Sequence, residues 1–345
     1  MRYIDLRSDT VTRPTPEMRT AMYEAEVGDD VYNEDPTVSR LEELAAEMLG
    51  KEAGLFVTSG TMGNIISVMS HVQRGDEILL EAQSHIYWYE VGGLAALAQA
   101  IPVLVEGRRF QILDPADVEA AIRGPNIHYP TPRLMCLENT HNRGGGTITS
   151  PGRMEQLYEV AKAHGMAVHL DGARLFNAAV GLGIDVKQLT KHTDSVQACL
   201  SKGLCAPVGS VVVGPKDWIA RARKYRKMVG GGMRQAGVIA AAGIVALTRM
   251  VSRLAEDHEK ARMLANGLAG IKGISIDLES VQTNIVSYDI AKTGMDGATY
   301  TKRLAENGVK CGAQTAARIR MVCHNDVSFD DVKQTIKTVD KVVNG

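Results

Sequence analysis

Short apolar runs alternating with helical patterns, through the first two-thirds of the chain, constrain its fold more than any other feature. The runs are Leu55-Phe56-Val57, 77–80, Ile101–Val105, 134–137, Ala167–Asp171, 196–200 and 210–213. The helices between them are marked at their ends. Asp114-Pro115 opens one that Gly124 closes, and Ser150-Pro151 opens another that Gly165 closes, with proline at the first helical position and glycine just past the last. Strands joined through helices pair in parallel and are covered on both faces. An α/β domain with a mostly parallel sheet is therefore expected, and ligands in such sheets sit at the carboxyl ends of the strands.

From about 233 to 270 the pattern is helical throughout. Beyond it, short strands at 274–276, 284–288 and 318–323 surround a helix over 296–308, and Ser328 caps a closing helix. This predicts a large domain over 1–250, N-terminal segment included, and a small α+β domain over 251–345. The length of 345 residues suits about two domains. Lys and Arg number 39 against 40 Asp and Glu, for a net charge of −1 with the signs interspersed, which argues against nucleic acid or a membrane as partner and for a small molecule. The most apolar stretch, 236–247, is too short to span a bilayer, and the opening Met1-Arg2-Tyr3-Ile4-Asp5-Leu6-Arg7 is too charged for a secretory leader. Five cysteines, an odd number without metal-type pairing, suit a reducing, cytoplasmic setting and no metal centre.

Three of these strand ends carry groups with chemical potential. Asp171 ends one run, and Lys202, 202 − 171 = 31 positions on, follows another in Cys199-Leu200-Ser201-Lys202-Gly203. Between the run ending at Val57 and a helical pattern through Ile65, Val68 and Val72 lies Thr58-Ser59-Gly60-Thr61-Met62-Gly63-Asn64. A strand that turns through small residues into a helix start leaves N–H groups and the positive dipole end for an anion, commonly phosphate. An amine able to form a Schiff base, a carboxylate to hold a proton on a ring nitrogen and a phosphate loop are the parts that pyridoxal phosphate requires. Each has a plainer reading as well: Asp171 as a helix cap, Lys202 as a surface lysine, Ser59 as an ordinary N-cap.

Other candidates cluster around the same ends. Arg320 lies on the strand face opposite Ile319, Met321 and Cys323, and a planar guanidinium suits a bidentate carboxylate clamp; a solvated edge arginine is the alternative. Arg174 stands in the first turn after Asp171, where the helix dipole disfavours a cation, so it reads as an anion binder or a surface charge. His85 follows the second run and could stack on a pyridine ring. His128 sits in the loop Pro125-Asn126-Ile127-His128-Tyr129-Pro130, and Glu138-Asn139-Thr140-His141-Asn142 ends a further strand.

Assembled, the chain resembles the L-threonine aldolases of the aspartate-aminotransferase-like fold, fold type I of the pyridoxal phosphate enzymes. The resemblance is carried by Asp5-Leu6-Arg7-Ser8-Asp9-Thr10-Val11-Thr12, Val27-Gly28-Asp29-Asp30-Val31-Tyr32, Ser59 to Asn64, Glu138 to Asn142, His169 to Arg174, Ser201-Lys202-Gly203-Leu204 and Gly230-Gly231-Gly232-Met233-Arg234-Gln235. It implies Lys202 as the Schiff-base lysine, Asp171 as the ring-nitrogen partner, His85 as the stacking histidine, and Ser59, Gly60 and Thr61 as the phosphate cradle. It further implies Ser8, Arg174 and Arg320 around the substrate carboxylate and His128 with His85 near the β-hydroxyl. Arg234 and Lys227 would lie near the cofactor across a subunit boundary, in a homodimer or homotetramer with shared sites. The activity so implied is retro-aldol cleavage of L-threonine or L-allo-threonine to glycine and acetaldehyde. Alternatives are another pyridoxal phosphate reaction on a small amino acid, transamination or racemisation, or a relative without activity.

Overall fold

The computed structural model describes residues 3–345. A two-residue strand β1 (Ile4–Asp5) precedes the seven strands β2 (Ala53–Val57), β3 (Glu77–Glu81), β4 (Ile101–Val105), β5 (Pro132–Glu138), β6 (Ala167–Asp171), β7 (Ser195–Cys199) and β8 (Ser210–Gly214). These seven form one sheet in the order β2-β8-β7-β6-β5-β3-β4. The strands from β4 to β7 in that order pair in parallel, whereas β8 runs antiparallel to both β7 and β2. The reversal has a local cause. The link between β7 and β8, residues 200–209, is too short for the crossover of a dozen or more residues that a parallel neighbour needs. Because β2 is antiparallel to β8, it regains the direction of β7, and Val57, Asp171 and Cys199 end at the same edge.

Alternate residues feed the two faces, as strand geometry requires. Met135, Leu137, Val168 and Leu170 enter one core with Leu41, Leu49 and Met154, while Leu134, Cys136, Ile78 and Leu80 enter another with Val68 and Ile86. Each fully buried aliphatic side chain stabilises by roughly 1.5–3 kcal/mol, so the inner strands β3, β5 and β6 are anchored from both sides, whereas the edge strand β4 leaves Ile101 and Leu104 exposed. The expected helix starts are present: Asp114 accepts from Ala116 N and Ser150 from Arg153 N, and Gly165 has φ +69°. All five cysteines are buried free thiols.

The helical stretch expected over 233–270 is broken. Gly237–Val245 runs into a π turn, Ala246–Met250, and the chain then bends by 68° into Leu254–Ala269. Thr248 Oγ1 donates to the Ile244 carbonyl at 2.8 Å, a back-bond that bends helices. The two halves also serve different cores: Ala240, Val245 and Leu247 belong to the sheet, Ala261, Leu264 and Leu268 to the C-terminal unit. Among the described residues no single helix is long and apolar enough to cross a membrane.

The C-terminal unit adds β9 (Ile285–Asp289), β10 (Val309–Lys310), β11 (Gly312–Ala313) and β12 (Arg318–Val322). The strands β11, β12 and β9 form an antiparallel sheet, and the helix Phe329–Asn344 starts with a Ser328–Asp331 capping box. The expected strand at 274–276 is reduced to one bridge, Ser275 to Asp289. The N-terminal segment joins this unit: β1 pairs with β10, and Leu6 is fully buried in its core. Docked there, the segment carries Ser8 and Asp9 to the mouth of the large sheet.

Candidate active site

Asp171, last residue of β6, is 1% exposed, and its carboxylate is held from three sides. Asn64 Nδ2 donates to Oδ2 at 2.9 Å, the Ala173 N–H to Oδ1 at 3.1 Å, and Gln197, with its amide nitrogen turned toward Asp171, to Oδ1 at 3.0 Å. A carboxylate has about four lone-pair positions. Three are taken, which leaves Oδ2 with room for one further N–H.

Lys202 lies three residues beyond β7, its carbonyl fixed by Thr12 Oγ1 at 2.9 Å and by the Cys205 N–H at 2.9 Å. Its side chain lines a cleft of about 350 Å³ together with Ser8, His85, Tyr89, Asn142, Arg174 and Arg320. Among the described residues the ammonium has no hydrogen-bond or ion-pair partner. Two larger depressions, of about 510 and 570 Å³, lie against the helix Lys216–Met228 and gather none of these groups.

His85 opens a helical turn after β3, its N–H donating to Glu138 Oε2 at 2.6 Å. Its Nδ1 meets Glu90 Oε1 at 3.0 Å, so Nδ1 carries the proton and Nε2 is the free ring nitrogen. Burial alone would lower the imidazole pKa; the Glu90 hydrogen bond and the charges of Asp171 and Glu90 outweigh it and hold it above the usual histidine value. His85, Glu90 and Asp171 bring their donor atoms within 4.8 Å of one another, a grouping that cysteine spacing could not foretell. Asn64 Nδ2 donates to both carboxylates, at 2.8 Å to Glu90 and 2.9 Å to Asp171, which organises the three as a hydrogen-bonded cluster.

The helix Gly60–His71 begins beside this cluster. Ser59 caps it by accepting from Met62 N at 3.1 Å, and the Gly60 and Thr61 N–H groups, in its first turn, have no intrahelical acceptor. A Cβ on Gly60 would stand 2.8 Å from Cys199 Sγ, so only glycine lets the helix end come this close to β7.

The two arginines divide their work. Arg174 is buried and grips Asp9 with Nε and Nη2, both at 2.7 Å. Burial would raise the Asp9 carboxyl, but Arg174 and the nearby Lys202 hold it well below the ordinary carboxylate range. Arg174 lines the cleft as expected, but two of its guanidinium nitrogens are taken by a residue 165 positions away in sequence, and its Nη1 donates to Asn142 Oδ1 at 3.4 Å. Arg320 has no carboxylate partner. It donates to Asn142 Oδ1 at 2.9 Å and to the Arg7 carbonyl at 3.4 Å, and burial together with the Arg174 charge lowers its pKa. Arg174, Lys202 and Arg320 line the cleft and, among the described residues, no carboxylate does, an excess of positive charge that favours an anionic ligand.

Two expected site residues lie elsewhere. His128 is exposed in the loop before β5, at the amino edge of the sheet, its N–H donating to Asn126 Oδ1 at 2.9 Å; a parallel strand separates it from the carboxyl edge where Lys202 lies. Arg234 is exposed and paired with Asp29 at 3.0 Å, outside the cleft. Conversely, Asp9, Asn64, Glu90 and Asn142 have site roles that the sequence left unassigned. Three of them stood within quoted motifs, but their partners are distant in sequence; Glu90, in a Tyr-Glu-Val-Gly-Gly turn, carried no signal.

The residues fit pyridoxal phosphate: one acceptor position on Asp171, an unpartnered amine on Lys202 and open N–H groups at a helix start. Fold and site together define an aspartate-aminotransferase-like enzyme of fold type I. A model of the beta-eliminating lyase family matches residues 5–291. Low-specificity L-threonine aldolase 1 of Arabidopsis thaliana is 49% identical over 97% of this chain and 95% of its own, and low specificity L-threonine aldolase of Escherichia coli K12 is 40% identical over 96% of each. Among solved structures, a threonine aldolase of Leishmania major superposes with a TM-score of 0.84 at 19% identity, covering 99% of both chains. The chain belongs to the beta-eliminating lyase family and, within it, to the low-specificity L-threonine aldolases.

Proposed function

We propose that this chain is a pyridoxal-phosphate-dependent lyase that cleaves L-threonine and L-allo-threonine to glycine and acetaldehyde. The observation that carries the reading is the cleft itself, which joins an unpartnered lysine, a histidine beside a buried aspartate, and an arginine without a carboxylate partner. Bound there, the cofactor supplies an electron sink for the pair released when the Cα–Cβ bond breaks. Lys202 would hold it through its amine, Asp171 would give its remaining acceptor position to the ring N–H, and Ser59, Gly60 and Thr61 would meet the phosphate. Arg320, steadied by Asn142, takes the substrate carboxylate with help from Ser8, and the Asp9–Arg174 pair fixes the floor beneath. His85, in the cleft lining with Nδ1 held by Glu90, would lie beside the cofactor and offer Nε2 to the β-hydroxyl proton, directly or through a water, a role typically contributing about 10²–10⁴-fold.

Within one chain His128 does not reach this proton, and it could enter only from a neighbour. Exposed Val31 borders a depression shared with Lys227, and Tyr32 beside it is 71% exposed. These support a homodimer or homotetramer in which that face meets another copy, with Lys227, Arg234 and His128 serving a shared site. A cytoplasmic location and a part in threonine breakdown and glycine supply belong to the same reading.

The test is formation of glycine and acetaldehyde from both diastereomers by the cofactor-loaded protein and by Lys202→Ala. Aldehyde from the wild type alone is expected, and the two rates rank the substrates. A visible cofactor band without aldehyde would redirect the function to transamination or racemisation.

A further inference from the structure

Behind Asp171 a line of buried polar side chains runs away from the cleft. Asn64 Oδ1 meets His169 Nε2 at 3.2 Å, His169 Nδ1 meets Ser195 Oγ at 2.9 Å, and Ser195 Oγ meets His71 Nε2 at 2.8 Å. Asn64, His169 and Ser195 are at most 1% exposed, and the His71 ring stacks on Trp218 with centroids 4.9 Å apart. None of the three groups beyond Asn64 touches the cleft.

Chemistry fixes the direction of every link. Asn64 Nδ2 faces two carboxylates, which only accept, so its Oδ1 must face His169 and His169 must carry its proton on Nε2. Burial lowers the His169 pKa to about 3 and that of His71 to about 4, so both rings hold a single proton. His169 Nδ1 is then an acceptor, the Ser195 hydroxyl points to it, and His71 donates from Nε2 to Ser195. All donors point toward the carboxylates. At the end of this line Asn64 grips Asp171 and Glu90 at once, and Glu90 in turn holds His85.

We propose that Asn64 is a positioning residue that locks the ring-nitrogen partner Asp171 and the stacking histidine His85 into one register, and that the His169–Ser195–His71 line sets the orientation of its amide. The arrangement keeps Asp171 aimed at the ring nitrogen with one acceptor position open. Asn64 and the residues behind it act through Asp171 and Glu90 and do not meet the substrate. The inference rests on the cofactor reading above.

The test uses Asn64→Leu and the remote Ser195→Ala, which removes only an oxygen. Both are loaded with pyridoxal phosphate labelled with ¹⁵N in the ring, with apoprotein melting temperature as the check on folding. Ser195→Ala is expected to melt within a few degrees of wild type and weaken cofactor affinity by roughly 3–10-fold, and Asn64→Leu by roughly 30-fold or more. In both, the ring ¹⁵N resonance moves from the pyridinium toward the free-pyridine position. Wild-type affinity and ¹⁵N position in folded Ser195→Ala would overturn the inference, as would losses that merely follow the melting temperature. Failure of the wild type to bind the cofactor at all would instead overturn the functional reading.

Discussion

Removing Arg320 and removing Arg174 should damage the protein in opposite ways, although both arginines line one cleft. Arg320 is tied only to Asn142 Oδ1 and the Arg7 carbonyl, at 2.9 and 3.4 Å, so Arg320→Leu strands no buried charge. What it removes is the free guanidinium for the substrate carboxylate. Two unit charges 4 Å apart attract by about 4 kcal/mol at an effective dielectric of about 20, and truncating one partner of such a pair costs about 2–5 kcal/mol. Taking about 2–4 kcal/mol for this half-buried position gives roughly a 30- to 900-fold loss in kcat/KM. Arg320→Lys keeps the charge without the fork and should lose less. Arg174→Leu leaves Asp9, fully buried, with no ion-pair partner in contact among the described residues, only the Asn284 Nδ2 hydrogen bond at 3.2 Å and the more distant charge of Lys202. An uncompensated buried charge costs about 3–5 kcal/mol, a fall in melting temperature of roughly 4–7 °C for a chain of this size. The assay pairs threonine-dependent aldehyde release, analysed for KM and kcat separately, with thermal melts of the same preparations. An unchanged KM in Arg320→Leu, or an unchanged melt in Arg174→Leu, would refute the division of labour.

Stability should fall on mild acidification. His71 and His169 have folded pKa values lowered by burial to about 4 and about 3, below the ordinary 6.5, so the unfolded chain binds more protons and their contribution, complete above pH 6.5, is lost as the pH drops toward those values. By pH 5 the loss is up to about 2 kcal/mol per histidine; urea midpoints at pH 7 and pH 5 should show it, and His71→Phe should have a shallower slope than wild type. Gly60→Ala should fold yet bind pyridoxal phosphate roughly tenfold more weakly, because its Cβ would lie 2.8 Å from Cys199 Sγ and relieving such overpacking costs about 1–3 kcal/mol. Cofactor titration of the apoprotein checks this, and wild-type affinity would show that the helix start is not held against β7.

Features that depend on neighbours along the chain were legible in the residues alone. The strand runs were legible because side chains alternate with period two, and the starts at Asp114, Ser150 and Ser328 because a cap bonds within its own first turn. Asp171, Lys202 and Ser59 were legible as strand-end groups, since a parallel sheet sends every such end to one edge. Tertiary structure alone decided which charges meet. Arg174 and Arg320 look alike in sequence, and only the docking of the N-terminal segment on the C-terminal unit delivers Asp9 to one and leaves the other open. The same holds for the reversed β8, for the bend at Ala246–Met250 that lets one stretch serve two cores, for His128 on the far edge, and for Asn64, whose three side-chain partners, Glu90, His169 and Asp171, come from the turn after β3 and from β6. Periodicity and caps act over a few residues, whereas ion pairing and desolvation are set by distances that exist only once the sheet and its two layers have closed.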